Sequence, residues 1–141
     1  MWSERLRVGS YGSRIHEGTE RMQTAAVVMV TIVAALHAYF LVLEMFLWRT
    51  PFGRRTFGMT QQVADSSAVL AANQGVYNGF LAAGLLWALF GYGIVQGRAI
   101  LTFFLVCVII AGLYGGATVS RRIALVQSLP AAVALALVWL S

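Results

Sequence analysis

The chain of 141 residues is 60% hydrophobic and 11% charged, with a formal net charge of +5 and a mean hydropathy of +0.78. A soluble domain carries about 25% charged residues, so this composition excludes an ordinary water-soluble enzyme and describes an integral membrane protein. All ten basic residues are arginines, set against five acids; they flank apolar segments and form no single basic face, which makes the lipid bilayer the partner and argues against nucleic acid.

Residues 1–22 hold four Arg, three Glu, three Gly and three Ser without a sustained apolar period, and read as a flexible or interfacial tail. Met22 stands directly before the apolar run and is a second candidate start. The segment that follows is too long for a signal peptide and contains Glu44. Residues 23–141 read as one all-α domain: a polytopic membrane protein built as a four-helix transmembrane bundle with antiparallel neighbours.

The first helix is expected over about 23–48, ended by Arg49-Thr50-Pro51 because proline cannot continue the ladder. The stretch PFGRRTFGMTQQVADSS is the longest connection; Thr60 is placed to cap a short interfacial helix there, and Ser66 or Ser67 to cap a second long helix over about 67–95. Gln96-Gly97-Arg98 and Ser120-Arg121-Arg122 then separate helices expected over about 99–119 and 123–140. With the tail counted, the positive-inside rule ties at five arginines a side; with it discounted, loops 1–2 and 3–4 face the cytoplasm and both termini lie outside the plasma (inner) membrane.

Inside the second apolar run stands NQGVYNG, residues 73–79. A turn at Asn78-Gly79 would leave backbone amides unsatisfied in hydrocarbon and split the run into pieces too short to span, so one continuous helix is expected. Gly75, Gly79 and Ala83 then form a small-residue stripe for helix packing, as do Gly112, Gly115 and Gly116 on the third helix. The amide arc of Asn73, Gln74, Tyr77 and Asn78 is offset from that stripe.

On the first helix, His37, Glu44 and Trp48 share one stripe, with His37 and Glu44 about 10.5 Å apart along the axis: two stations in a groove and no dyad. By depth, Tyr114 and Gln127 fall in the same leaflet, and Pro130 one turn beyond Gln127 is expected to bend the helix or free a carbonyl. The ligand-binding set is therefore His37, Glu44, Asn73, Gln74, Tyr77, Asn78, Tyr114 and Gln127, as a polar pocket in one half of the bundle.

Each of these residues also has a plainer reading. Glu44 sits near Arg49 and could simply reach water or pair with a loop arginine, although an acid within a span marks a site by default. His37 reads first as a neutral core histidine, and with only His16 elsewhere no metal site is expected. The amides could serve only as interhelical glue. Trp48, Trp87 and Trp139 read as interfacial anchors. The single Cys107 forms no internal disulfide, no nucleotide or protease motif is present, and the cofactor is left unknown.

The segments LHAYFLVLEMFLW, AANQGVYNGFLAAGLLW, GLYGGATV and VQSLPA together resemble the small four-helix membrane family catalogued as the domain of unknown function numbered 1304, over about residues 23–140. The resemblance implies a compact membrane domain and supplies no reaction, substrate or catalytic set. Three function classes stay open. The leading one is binding or transport of a small amphipathic or lipophilic ligand at the polar pocket. The others are an accessory subunit packed in a membrane complex or homodimer, and an enzyme using Glu44 or His37 for proton transfer on a lipid-like substrate.

Overall fold

Three hydroxyl side chains set the joints of the chain. Thr50 is extended, with φ −72° and ψ 159°; its Oγ1 accepts from the Gly53 amide at 3.2 Å and donates to the Leu47 carbonyl at 2.7 Å. With Pro51 in the first turn, this cap starts a short helix. Thr60 Oγ1 accepts from the Val63 amide at 3.3 Å, and Ser120 Oγ accepts from the Arg122 amide at 3.4 Å.

The computed structural model describes the backbone of residues 2–141 and the side chains of residues 16–141. The side chains of 1–15, and so most of the expected tail, lie outside the described residues. Helix α1 spans Trp2–Val42 and runs on into a π turn, Leu43–Leu47. The expected boundary at Gln23 is absent: over residues 16–23 there is no proline, and Glu20, Arg21, Met22 and Gln23 all favour helix.

Helix α2, Pro51–Phe57, ends at Gly58 with φ 63°, a left-handed cap that suits glycine. Gly53 lets α2 fold back on the first π turn, since a Cβ there would collide with the Leu47 carbonyl. Helix α3 then spans Gln61–Gln96. Thr60 therefore caps this long helix and not a short interfacial one, and the cap expected at Ser66 or Ser67 is corrected: both serines lie within α3 and donate to the Val63 carbonyl, at 3.1 and 2.6 Å. Asn78-Gly79 is helical, so no turn interrupts the run. The break falls later, at Gly93, whose φ of 74° and ψ of −177° only glycine adopts readily.

Helix α4 covers Arg98–Thr118 and helix α5 Arg121–Ile123. A second π turn, Ala124–Ser128, leads into helix α6, Leu129–Leu140. Pro130 explains it. Having no N–H, Pro130 cannot bond the carbonyl four residues back, and the ladder shifts so that the Leu129 amide meets the Ala124 carbonyl.

Four helical segments are long and apolar enough to cross a membrane: His16–Leu47, Gln61–Gln96, Arg98–Thr118 and Arg121–Leu140. They close a ring in which α1 packs on α3, α3 on α4, α4 on α6 and α6 on α1. The main core, with Val30, Val33, Leu85, Leu101, Leu105, Val108 and Val138 at its centre, fills the half of the bundle away from the π turns. Outward-facing side chains are apolar in turn: Val69 is 83% exposed and Phe90 79%. Such a surface suits hydrocarbon, where each helix keeps its backbone bonds within itself.

Candidate functional site

The first π turn and α3 build the site. A π turn accommodates one extra residue and so turns the following side chains relative to an α-helical register. Leu43 and Glu44, though consecutive, are both buried, and Glu44 is only 5% exposed. Facing it on α3 is Gly75. A Cβ at that position would lie 2.6 Å from Met45 Cγ, 3.2 Å from Glu44 Cβ and 3.2 Å from the Leu41 carbonyl oxygen. The bare glycine therefore brings the two backbones close enough for α3 side chains to reach the carboxylate.

Two of them do. Gln74 Nε2 donates to Glu44 Oε1 at 3.0 Å, and Asn78 Nδ2 donates to Glu44 Oε2 at 2.7 Å. Four residues apart, the amides stand one above the other and flank Gly75. Asn78 is buried at 8% exposure, whereas Gln74 is exposed. Asn78 thus meets the carboxylate inside the helix contact and Gln74 meets it at the exposed surface. Among the described residues no arginine pairs with Glu44; its donors are both neutral amides. That differs from the expected alternative of water or a loop arginine, because the carboxylate turns into the helix interface at Gly75. At the end of the same interface, Trp48 Nε1 donates to Ser67 Oγ at 3.1 Å and ties the chain past Glu44 to the start of α3.

The other expected ligand residues are spread out. His37 is buried, but its Nδ1–H donates to the Val33 carbonyl of its own helix at 2.8 Å, and its ring meets Phe40 edge-on at 6.0 Å. Asn73 and Tyr77 point outward from α3. Tyr114 is 72% exposed on α4. Gln127 is half-buried in the second π turn, where it packs beside Gly112. The structure therefore joins Glu44, Gln74 and Asn78 and joins none of His37, Asn73, Tyr77, Tyr114 or Gln127 to them by a hydrogen bond.

The packing residues divide similarly. Gly75 and Gly79 face α1, at Met45 and Leu41. Gly112, Gly115 and Gly116 face Ser128, Ile123 and Ala124 across the other pair. Ala83 is exposed. The expected offset between the glycine stripe and the amides is corrected at Asn78, which shares the α1-facing side of α3 with Gly75 and Gly79: three residues make most of a helical turn.

Ser128 is a polar residue that the sequence reading did not single out, and Ser67, read there as a cap, is instead the acceptor for Trp48. Ser128 is buried and donates to the Ile109 carbonyl at 3.0 Å; its signal was a hydroxyl in an apolar run two residues before Pro130. The surface depressions lined by Glu17, Glu20, Arg21, Thr24 and Ala25 and by Pro51, Arg54, Arg55, Gly58 and Met59 both lie away from Glu44. Among the described residues no three His, Cys, Asp or Glu side chains gather to hold a metal ion.

The family described as "Protein of unknown function (DUF1304)" matches residues 31–139. The chain belongs to that family. A curated relative, the uncharacterized protein YpaA of Lactococcus lactis subsp. lactis, is 32% identical over 108 residues, which cover 75% of this chain and 89% of YpaA. No solved structure matches. In this DUF1304 member the matched region holds Glu44, Gln74, Asn78 and both π turns, while residues 1–30 lie outside it.

Proposed function

We propose that the protein binds a small amphipathic or lipophilic ligand at Glu44, Gln74 and Asn78, within the membrane leaflet nearer loops 1–2 and 3–4, and carries it between that leaflet and the loop side. One observation carries this reading: a carboxylate buried in a membrane-spanning helix is held by two neutral amides, with no cation beside it among the described residues. An acid within a span costs up to about 3 kcal/mol at the helix centre and less near its end, where Glu44 stands, and a purely structural contact could be made with apolar residues at less cost. The π turn that presents Glu44 supports the same reading, since such turns recur at functional sites. Five arginines in loops 1–2 and 3–4 support a cytoplasmic placement of those loops.

The test is native mass spectrometry of gently extracted protein, comparing wild type with Glu44→Gln. A small molecule retained by wild type and lost from the variant is the expected result. An empty wild-type protein, or one holding only another protein, overturns the reading in favour of an accessory subunit.

A further inference from the structure

We infer that the ligand of this site is an organic ammonium compound: an apolar body carrying a protonated amine whose N–H groups bond to Glu44 and to the amide oxygens of Gln74 and Asn78. The inference rests on the ligand-binding reading above and names the chemistry that the site selects.

Consider which bonding capacity remains. Each amide spends one N–H on the carboxylate and keeps a second N–H and its carbonyl oxygen, which can accept two bonds. The carboxylate oxygens each accept one bond and keep further lone-pair capacity. Two carboxylate oxygens and two amide oxygens leave more acceptor than donor capacity here, and an ionised Glu44 adds a negative charge. Among the described residues no cation pairs with it: the sequence has no lysine, His37 is engaged with its own backbone, Arg21 stands more than twenty residues before Glu44 on the first helix, and the other described arginines stand at helix ends and loops. An anionic headgroup would be repelled, and a neutral alcohol would offer a single donor. A primary ammonium offers three donors and the opposite charge.

Access follows from exposure. Arg49, Arg54 and Arg55 occupy the loop end above Glu44, which disfavours approach of a cation along the bundle axis. Gln74 is exposed, so the side chain that reaches Glu44 from the outer surface of α3 marks the lateral route of approach. Tyr77, one turn beyond Gln74, and Phe80, whose ring lies 6.1 Å from that of Tyr77, are exposed on α3. They give an amine approaching from the lipid side two aromatic faces on the outer surface of the same helix.

The experiment uses full-length protein in lipid nanodiscs titrated calorimetrically with octylammonium, octyltrimethylammonium, octanol and octanoate. Octylammonium is expected to bind at least tenfold tighter than octanol or octanoate and severalfold tighter than its trimethylated counterpart, which keeps the charge and loses the N–H donors. Glu44→Gln is expected to abolish that preference, and Glu44→Asp, which retains the charge, to keep it in weakened form; circular dichroism checks that both variants are helical. Equal binding of octanoate or octanol, or a preference for octylammonium that survives in Glu44→Gln, overturns the ammonium inference. If no probe binds while native mass spectrometry still finds a molecule lost in Glu44→Gln, the ammonium inference fails and ligand binding stands. If neither experiment finds a bound molecule, both fail.

Discussion

The two π turns face the same end of the bundle, each presses on a glycine of an antiparallel neighbour, and each places a polar side chain in that contact. In the second, Ser128 lies against Gly112 and donates to the Ile109 backbone carbonyl. In the first, Glu44 lies against Gly75 and accepts from Gln74 and Asn78. The second turn has a covalent cause in Pro130; the first has no proline between its start and Trp48. Where a π turn follows from the missing proline N–H, its polar group closes on backbone and nothing is left over. In the first, the carboxylate accepts from the neighbouring helix and keeps further lone-pair capacity at the contact. That asymmetry is the reason for assigning the site to the first pair.

The largest expected effects would break both contacts and separate their consequences. Gly75→Leu and Gly112→Leu each force a helix pair apart and are expected to cost about 3 kcal/mol by thermal unfolding in detergent. Only Gly75→Leu is expected to release the bound molecule in native mass spectrometry; release by both would erase the distinction between the pairs. Asn78→Ala comes next, because it removes a donor from a buried carboxylate, at about 1–3 kcal/mol. Glu44→Leu combined with Asn78→Leu should recover most of that stability while losing the ligand, since an apolar pair needs no donors.

Ser128→Ala is expected to cost about 0.6 kcal/mol, the scale of an average interhelical hydrogen bond in a membrane. It should leave ligand retention unchanged; loss of ligand would extend the site to the second pair. The smallest effect belongs to Gln74→Ala. At the exposed surface its stability cost should stay below about 0.5 kcal/mol, and a cost matching that of Asn78→Ala would make Gln74 an equal partner of the carboxylate.

Much of this molecule is written in local pattern. Four apolar runs of spanning length, ended by Thr50-Pro51, Gly97 and Ser120, are enough to specify four helices and their antiparallel order, because short connections leave neighbours no other arrangement. Glu44 stood out as an acid within a run, and Gln74 and Asn78 as amides within another. Helical periodicity could not decide which members of the 73–78 arc face α1. Asn73 and Tyr77 belong to the same arc as Gln74 and Asn78, yet they point outward. Ser66 or Ser67 was the expected cap of the second long helix, yet Thr60 starts α3, because the helix continues uninterrupted through Asp65 and Ser66.

The sequence by itself determined the four spans and the polar residue types placed among apolar ones, since these depend on hydrophobic length and on local turn chemistry. Tertiary structure decided the partners. The first π turn has no proline to announce it, and the α1–α3 approach at Gly75 depends on two backbones meeting across some thirty residues of chain. A carboxylate becomes part of a site, and not a stray charge near an interface, only when that approach brings Gln74 and Asn78 within hydrogen-bonding distance of it.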